Sequence, residues 1–191
     1  MNYWRMTFRC MDESMWHECY QRGVASMSEY NEDGEGVPDL TDVPASEFAA
    51  IWNSYSFRNI TSRIGIYNLR YKMACGDVIY AKDGPEIVGC GVVTSEYQYD
   101  PTVMDGSDAE WEHFVRVDWN HNFRPIKALL GAERQTLLLL KSGQIAELDS
   151  LLRRSGQALE RPGNAVKPVS PPASRDSAAG IPSPENIMPG S

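Results

Sequence analysis

The middle of the chain limits the possible folds more than any other part. Residues 77–82, Asp-Val-Ile-Tyr-Ala-Lys, read as a strand; Asp83-Gly84-Pro85 reads as a turn; and residues 86–94, Glu-Ile-Val-Gly-Cys-Gly-Val-Val-Thr, read as the returning strand. A hairpin sets its two strands antiparallel, whereas a doubly wound fold joins parallel strands through crossover helices. The flanking segments fit the same picture. Residues 3–9 mix aromatic and β-favouring side chains with partial alternation and are predicted to form a strand. Residues 12–22 are predicted helical: Asp12 or Ser14 can cap, Met15, Trp16, Cys19 and Tyr20 fall at helical spacing, and Gly23 is the stop before a strand at 24–27. Short helices are expected at 46–52 and 61–73, strands at 113–119 and 137–140, and an amphipathic closing helix at 143–154 that carries Ile145, Leu148, Leu151 and Leu152 on one face. Strands interrupted by short helices around a central hairpin predict an α+β fold, a small curved mixed β-barrel with helices packed outside.

Two glycines sharpen this expectation. Gly89 and Gly91 stand two apart on one face of the returning strand, where a missing side chain lets a neighbour approach or the sheet bend. No G-x-G-x-x-G or Walker spacing surrounds them, so a phosphate cradle is not what they spell.

The chain has 191 residues, 42% of them hydrophobic, which suits one ordinary core. The domain is expected to span residues 1–156. Residues 157–191 are dominated by Pro, Ser, Ala and Gly, contain no aromatic residue, and read as a disordered tail or linker. No apolar run approaches the roughly 20 residues of a membrane span, and the N-terminus lacks a signal-peptide pattern, so a cytoplasmic location is expected.

Several kinds of chemistry are disfavoured. Cys10, Cys19, Cys75 and Cys90 are scattered without CxxC spacing, and His17, His113 and His121 complete no zinc pattern. No G-x-S-x-G turn is present, and the acids between Glu29 and Asp42 fall in a Gly- and Pro-punctuated surface loop where nothing would split their pKa values. The reading is a binding module rather than an enzyme, with no cofactor and no metal.

The net charge of −8 opposes a surface that clings to nucleic acid everywhere. Its distribution is uneven, however. Residues 29–47 are rich in Asp and Glu, whereas 58–72 carry Arg58, Arg63, Arg70 and Lys72 with no acid at all. This is either a local phosphate-binding face or an ordinary solvated helix face. Aromatic residues gather at strand ends and loops: Tyr30 after the 24–27 strand, Tyr97 and Tyr99 after the glycine-bearing strand, and Trp111 and Trp119 around the next. Such rings can stack on an extruded or single-stranded base, or they can fill a core. Trp16 and Trp119 read as core; for Tyr97 and Tyr99 both readings stand.

Taken in order, Asn2-Tyr3-Trp4-Arg5-Met6, the Trp16-to-Gly23 helix leading into Val24-Ala25-Ser26, Gly76-Asp77-Val78-Ile79-Tyr80, the 87–93 return strand and Val115-Arg116-Val117-Asp118-Trp119 resemble the EVE branch of the PUA-like superfamily, to which YTH and SRA domains are related. The resemblance covers nearly all of the expected domain. It implies a reader that takes a flipped or single-stranded modified base into a pocket. Carried over, the first wall is Ala25, Ser26, Met27 and Ser28, and the last wall is Thr94, Ser95, Tyr97 and Tyr99, with Tyr30 nearby. Asp77 is expected to fix backbone geometry rather than touch a base. Where YTH readers carry a tryptophan in the first wall this chain has Ser26-Met27-Ser28, which removes part of the aromatic cage that reads methylated adenine in RNA. The expected ligand is therefore double-stranded DNA carrying a modified base, methylated cytosine above all, read by base flipping, with Arg58, Arg63, Arg70 and Lys72 on the phosphates. EVE-like domains resemble the sensors of modification-dependent restriction systems, so the tail is expected to join such a reader to a nuclease or nucleotide-driven effector in defence. The alternatives are an RNA-binding PUA-like module and a protein-interaction domain.

Overall fold

The computed structural model describes residues 1–10, 13–107, 110–128, 130 and 136–159. Its elements in chain order are β1 (Tyr3–Thr7), β2 (Arg9–Cys10), β3 (Glu13–Ser14), α1 (Trp16–Arg22), β4 (Val24–Met27), α2 (Phe48–Ser54), α3 (Ile60–Tyr71), β5 (Val78–Asp83), β6 (Glu86–Val93), β7 (Gln98–Tyr99), β8 (His113–Trp119), β9 (Ile126–Lys127), β10 (Leu137–Leu139) and α4 (Ser142–Arg154). Most of the expected residues 157–191 tail lies outside the described residues.

The hairpin at 77–94 forms as β5 and β6 and sits in the middle of a curled mixed sheet ordered β10-β1-β5-β6-β8-β4, with β7 added on β8 and β9 on β6. β1 and β5 are parallel, and the other pairs in this sheet are antiparallel. The architecture is the α+β one expected, a half-barrel with four helices against it.

Strand periodicity divides the buried residues between two sides. Ile79 and Ala81 face one core with Trp4, Met6, Ile66 and Leu69, while Val78 and Tyr80 face a second with Leu138, Leu140, Leu148 and Leu152 of the α4 side. Because both faces of β5 are covered, its sequence is a continuous apolar run rather than an alternating one. α3 lies across the open side of the curl. A Cβ placed on its Gly65 would stand 2.7 Å from Met27 Cε in β4 and 3.8 Å from Leu137 Cβ in β10, the two ends of the strand order.

The two sheet glycines fulfil the close approach expected of them. A Cβ on Gly89 would lie 2.3 Å from the Trp16 indole, and one on Gly91 would lie 2.7 Å from the Asp118 carbonyl oxygen. Trp16 and Trp119 pack edge to face at 4.8 Å with Phe8 against both, so these tryptophans belong to the core. Asp77 is buried and accepts from the Asn2 backbone N–H (2.7 Å), Trp4 Nε1 (2.8 Å) and the Ala74 N–H (3.2 Å), tying the first strand to the turn before β5.

The first helix starts later than the sequence suggests. Ser14 and Glu13 pair with Arg9 and Cys10 in a small hairpin, which takes the residues before Trp16 out of the helix. Gly23, at φ +64°, ends α1 in the left-handed conformation expected of a stop glycine. The two-residue strands β7 and β9 escaped the sequence analysis because such short segments carry too few residues to show a period. Packing continues past residue 156: Gln157 exchanges hydrogen bonds with the backbone of Arg124, and Leu159 rests on the second core. Among the described residues no helix is long and apolar enough to cross a membrane.

Candidate nucleobase cleft

β4 and β8 pair antiparallel with Met27 opposite His113, which places the chain leaving β4 beside the chain entering β8. Their junction is laced together. Ser26 Oγ donates to the carbonyls of Trp111 (2.6 Å) and His113 (3.2 Å), and the Tyr30 hydroxyl is shared between the Glu110 carbonyl (2.7 Å) and the Glu112 carboxylate. Burial, and then the Glu112 carboxylate, push the Tyr30 phenol above its ordinary pKa, so it stays protonated and available to donate.

Over this junction opens a cleft of about 640 Å³. Met27, Ser28, Glu29 and Tyr30 form one wall; Asn59 and Ser62 at the start of α3 form a second; Ser107, Glu110 and Trp111 form a third; Arg9, Cys10 and Thr136 complete the lining. Asn59 caps α3 by accepting from the Thr61 and Ser62 N–H groups, and its amide donates to Glu29 Oε2 at 3.3 Å, which joins two of the walls. Glu29 and Glu110 bring acceptors, while the cation in the lining, Arg9, is paired with Asp83 at 3.1 Å. A cleft of this charge favours a ligand edge that donates hydrogen bonds over a phosphate.

The structure divides the expected pocket residues. Met27, Ser28 and Tyr30 line the cleft; Ala25 and Ser26 are buried beneath it in β4. Thr94, Ser95, Tyr97 and Tyr99 are not in its lining. Thr94 and Ser95 bond to the backbone of Arg116, three residues along β8 from His113, about 10 Å at strand rise. Tyr97 is only 8% exposed. Its hydroxyl accepts from the Leu40 N–H (3.2 Å) and meets His113 Nδ1 at 2.7 Å, while His113 Nε2 lies 3.0 Å from the Val37 carbonyl. A carbonyl can only accept, so Nε2 carries the proton, Nδ1 is the acceptor, and Tyr97 donates to it. Burial lowers the His113 pKa and keeps the ring neutral. Tyr99 packs on the same imidazole at 5.1 Å.

The basic segment divides as well. Arg70, expected on the phosphates, bonds within the domain. Its guanidinium donates to the carbonyls of Leu40 (2.8 Å) and Thr41 (2.7 Å) and lies over the Tyr97 ring, so it anchors the 37–41 loop. Arg58 pairs with Glu32 at 2.7 Å in an exposed position. Lys72 lies 5.8 Å from the Tyr67 ring, and the Arg63 side chain makes no hydrogen bond or ion pair among the described residues. Sequence reasoning missed Asn59, Ser62, Ser107, Glu110 and Arg9 as lining residues. A helix-cap signature at Asn59 was legible; the others meet through strand pairing and the packing of α3.

Residues 4–138 match the family described as Domain of unknown function (DUF8426). The chain belongs to this family. The span shared with DUF8426 contains every lining residue of the cleft and ends before α4. No curated protein matches the chain. Solved structures similar to this DUF8426 domain include protein Atu2648 from Agrobacterium tumefaciens, with 18% identity and a TM-score of 0.45 over 84% of this chain and 97% of that one. The Mmi1 YTH domain is similar at 13% identity and a TM-score of 0.43, over 81% and 89%. The YTH domain of the Zygosaccharomyces rouxii MRB1 protein, solved in complex with N6-methyladenosine RNA, is similar at 9% identity and a TM-score of 0.39, over 84% and 89%.

Proposed function

We propose that this domain is a nucleic-acid reader that takes one modified base, methylated cytosine in double-stranded DNA, out of the stack and into the cleft between β4, the start of α3 and residues 107–111. The observation that carries the proposal is the cleft itself. Its volume of about 640 Å³ falls in the range of small-molecule sites. Tyr30 and Trp111 supply ring surface from two walls, and Glu29 and Glu110 supply acceptors that can receive the exocyclic amine of cytosine. Asn59, Ser62 and Ser28 add donors for the remaining base edge.

In this reading Ala25 and Ser26 support the pocket floor, Met27, Ser28 and Tyr30 touch the ligand, and Arg58, Arg63 and Lys72 hold phosphates beside the cleft. Tyr97, Tyr99 and Arg70 act at a distance by fixing the 37–41 loop against β8. The domain belongs in this proposal to the EVE branch of the PUA-like superfamily and acts as a sensor without catalysis of its own. Residues 157–191 tether it to a nuclease or nucleotide-driven effector of a restriction system.

Titration of the full chain against matched duplexes and single strands of DNA and RNA tests this. Each probe carries cytosine, 5-methylcytosine, 5-hydroxymethylcytosine, adenine or N6-methyladenine at one position. The expected result is about tenfold or greater preference for a methylated-cytosine duplex, lost in Glu110→Ala. Three phosphate contacts predict a log–log salt slope of about −2 to −3. Equal binding of modified and unmodified probes overturns the reader. A preference confined to N6-methyladenine RNA overturns the choice of base and of nucleic acid.

A further inference from the structure

We infer that Ile60 is a wedge that occupies the base stack when a base enters the cleft, an assignment that rests on the reader function proposed above. The helix pattern sets Ile60 apart. The buried side of α3 is Ser62, Gly65, Ile66 and Leu69, whereas Ile60 and Ile64, one turn apart, lie on the outer side. They are 65% and 37% exposed; among the described residues the other exposed large apolar side chains are Met1 and Leu139.

A single exposed isoleucine needs no explanation; its setting is what gives this one a role. Asn59, immediately before it, and Ser62, two residues after it on the buried side, both line the cleft, while Ile60, the first residue of α3, projects from the outer side of that same helix end. The surrounding segment is cationic. From Arg58 to Lys72 there is no acid, and Arg63, next to Ile64, is without an ion pair among the described residues. An apolar tip next to one cation without an ion pair, Arg63, and one exposed cation that can exchange its partner, Arg58, complements a base stack flanked by phosphates. The acidic cleft beside it repels phosphates and receives a base edge, so the two surfaces divide the duplex between them.

Extruding a base opens a gap whose neighbours lose their stacking contacts, and a branched apolar side chain pushed into such a gap restores part of that contact. A wedge therefore assists only where there is a stack to leave. A single strand that carries the same base has no paired stack to hold open, and the wedge adds nothing to its binding.

The experiment compares wild type, Ile60→Ala and Ile60→Leu, as full chains, on a duplex and a single strand that both carry one 5-methylcytosine, with 2-aminopurine as the adjacent base. Ile60→Ala is expected to weaken duplex binding by about tenfold, to leave single-strand binding within about twofold, and to abolish the 2-aminopurine fluorescence rise; Ile60→Leu restores all three. Equal losses on both probes, or no loss on the duplex, overturn the wedge while leaving the reader in place. Wild type that binds neither probe overturns the reader, and the wedge falls with it.

Discussion

Replacing Asp77 by alanine removes a buried acceptor and strands the donors that end on it. The carboxylate is 2% exposed and receives four hydrogen bonds, from the Asn2 backbone N–H and side-chain amide, the Trp4 indole N–H and the Ala74 N–H. The Asn2 donors are partly exposed, and water can replace the lost acceptor there. Trp4 is 1% exposed, so its indole N–H is left buried and unpaired. Orphaning that donor costs about 1–3 kcal/mol, and losing the remaining charge-assisted bonds costs about 1–2 kcal/mol more, for an expected total of about 3–4 kcal/mol. For a domain of this size that lowers the melting midpoint by about 6–15 °C. Asp77→Asn keeps one oxygen acceptor and is expected to lose about 1–2 kcal/mol. Urea denaturation followed by tryptophan fluorescence measures both variants. A loss below about 1 kcal/mol for Asp77→Ala refutes the reasoning, because it shows that the indole N–H finds another partner. Asp77 is not part of the cleft, so the affinity of the folded variant for its best probe is expected to match wild type.

Four further outcomes follow from the same structure. Gly91→Ala places a Cβ 2.6 Å from Val117 Cγ1 and 2.7 Å from the Asp118 carbonyl; forcing β6 and β8 apart is expected to cost about 2–3 kcal/mol in urea denaturation. His113 has a folded pKa lowered from 6.5 by burial, so above that pH neither state holds the proton and stability is unaffected. As pH falls below 6.5 the unfolded chain protonates first, and stability declines by up to about 1.4 kcal/mol per pH unit, a slope that His113→Gln should remove from denaturation curves. Arg63→Ala is expected to make the salt slope of binding shallower by about one contact with stability unchanged. Arg70→Ala, by freeing the Leu40 and Thr41 carbonyls, is expected to lower stability by about 1–2 kcal/mol and to leave the salt slope alone.

The cleft was half legible. Ala25, Ser26, Met27 and Ser28, with Tyr30 nearby, came from the resemblance to the EVE branch; Met27, Ser28 and Tyr30 line the cleft, and Ala25 and Ser26 lie buried beneath it. Tyr97 and Tyr99 drew attention as aromatics in a polar stretch, but their surroundings are supplied by residues far away in sequence. β7 pairs beside His113 and turns Tyr99 onto its ring, and the Leu40 N–H, 57 positions before Tyr97, occupies the Tyr97 hydroxyl. Arg70 looked like a free cation for the same reason, since nothing near it in sequence announces the carbonyls of Leu40 and Thr41.

What the sequence by itself determined is the set of local decisions. The 77–94 hairpin, the Gly23 stop, the amphipathic face of α4 and the need for bare backbone at Gly89 and Gly91 all depend on periodicity, turn chemistry or the absence of a side chain, which neighbouring residues specify. What only the tertiary structure decided is which residues share a surface. Antiparallel pairing of β4 with β8 brings residues 27–30 against 107–111, and α3, crossing the open side of the sheet, adds Asn59 and Ser62. That assembly is governed by how long-range strands register and how a helix packs at Gly65 against Met27 and Leu137. The energies involved belong to pairs of residues many tens of positions apart, and no local pattern encodes them.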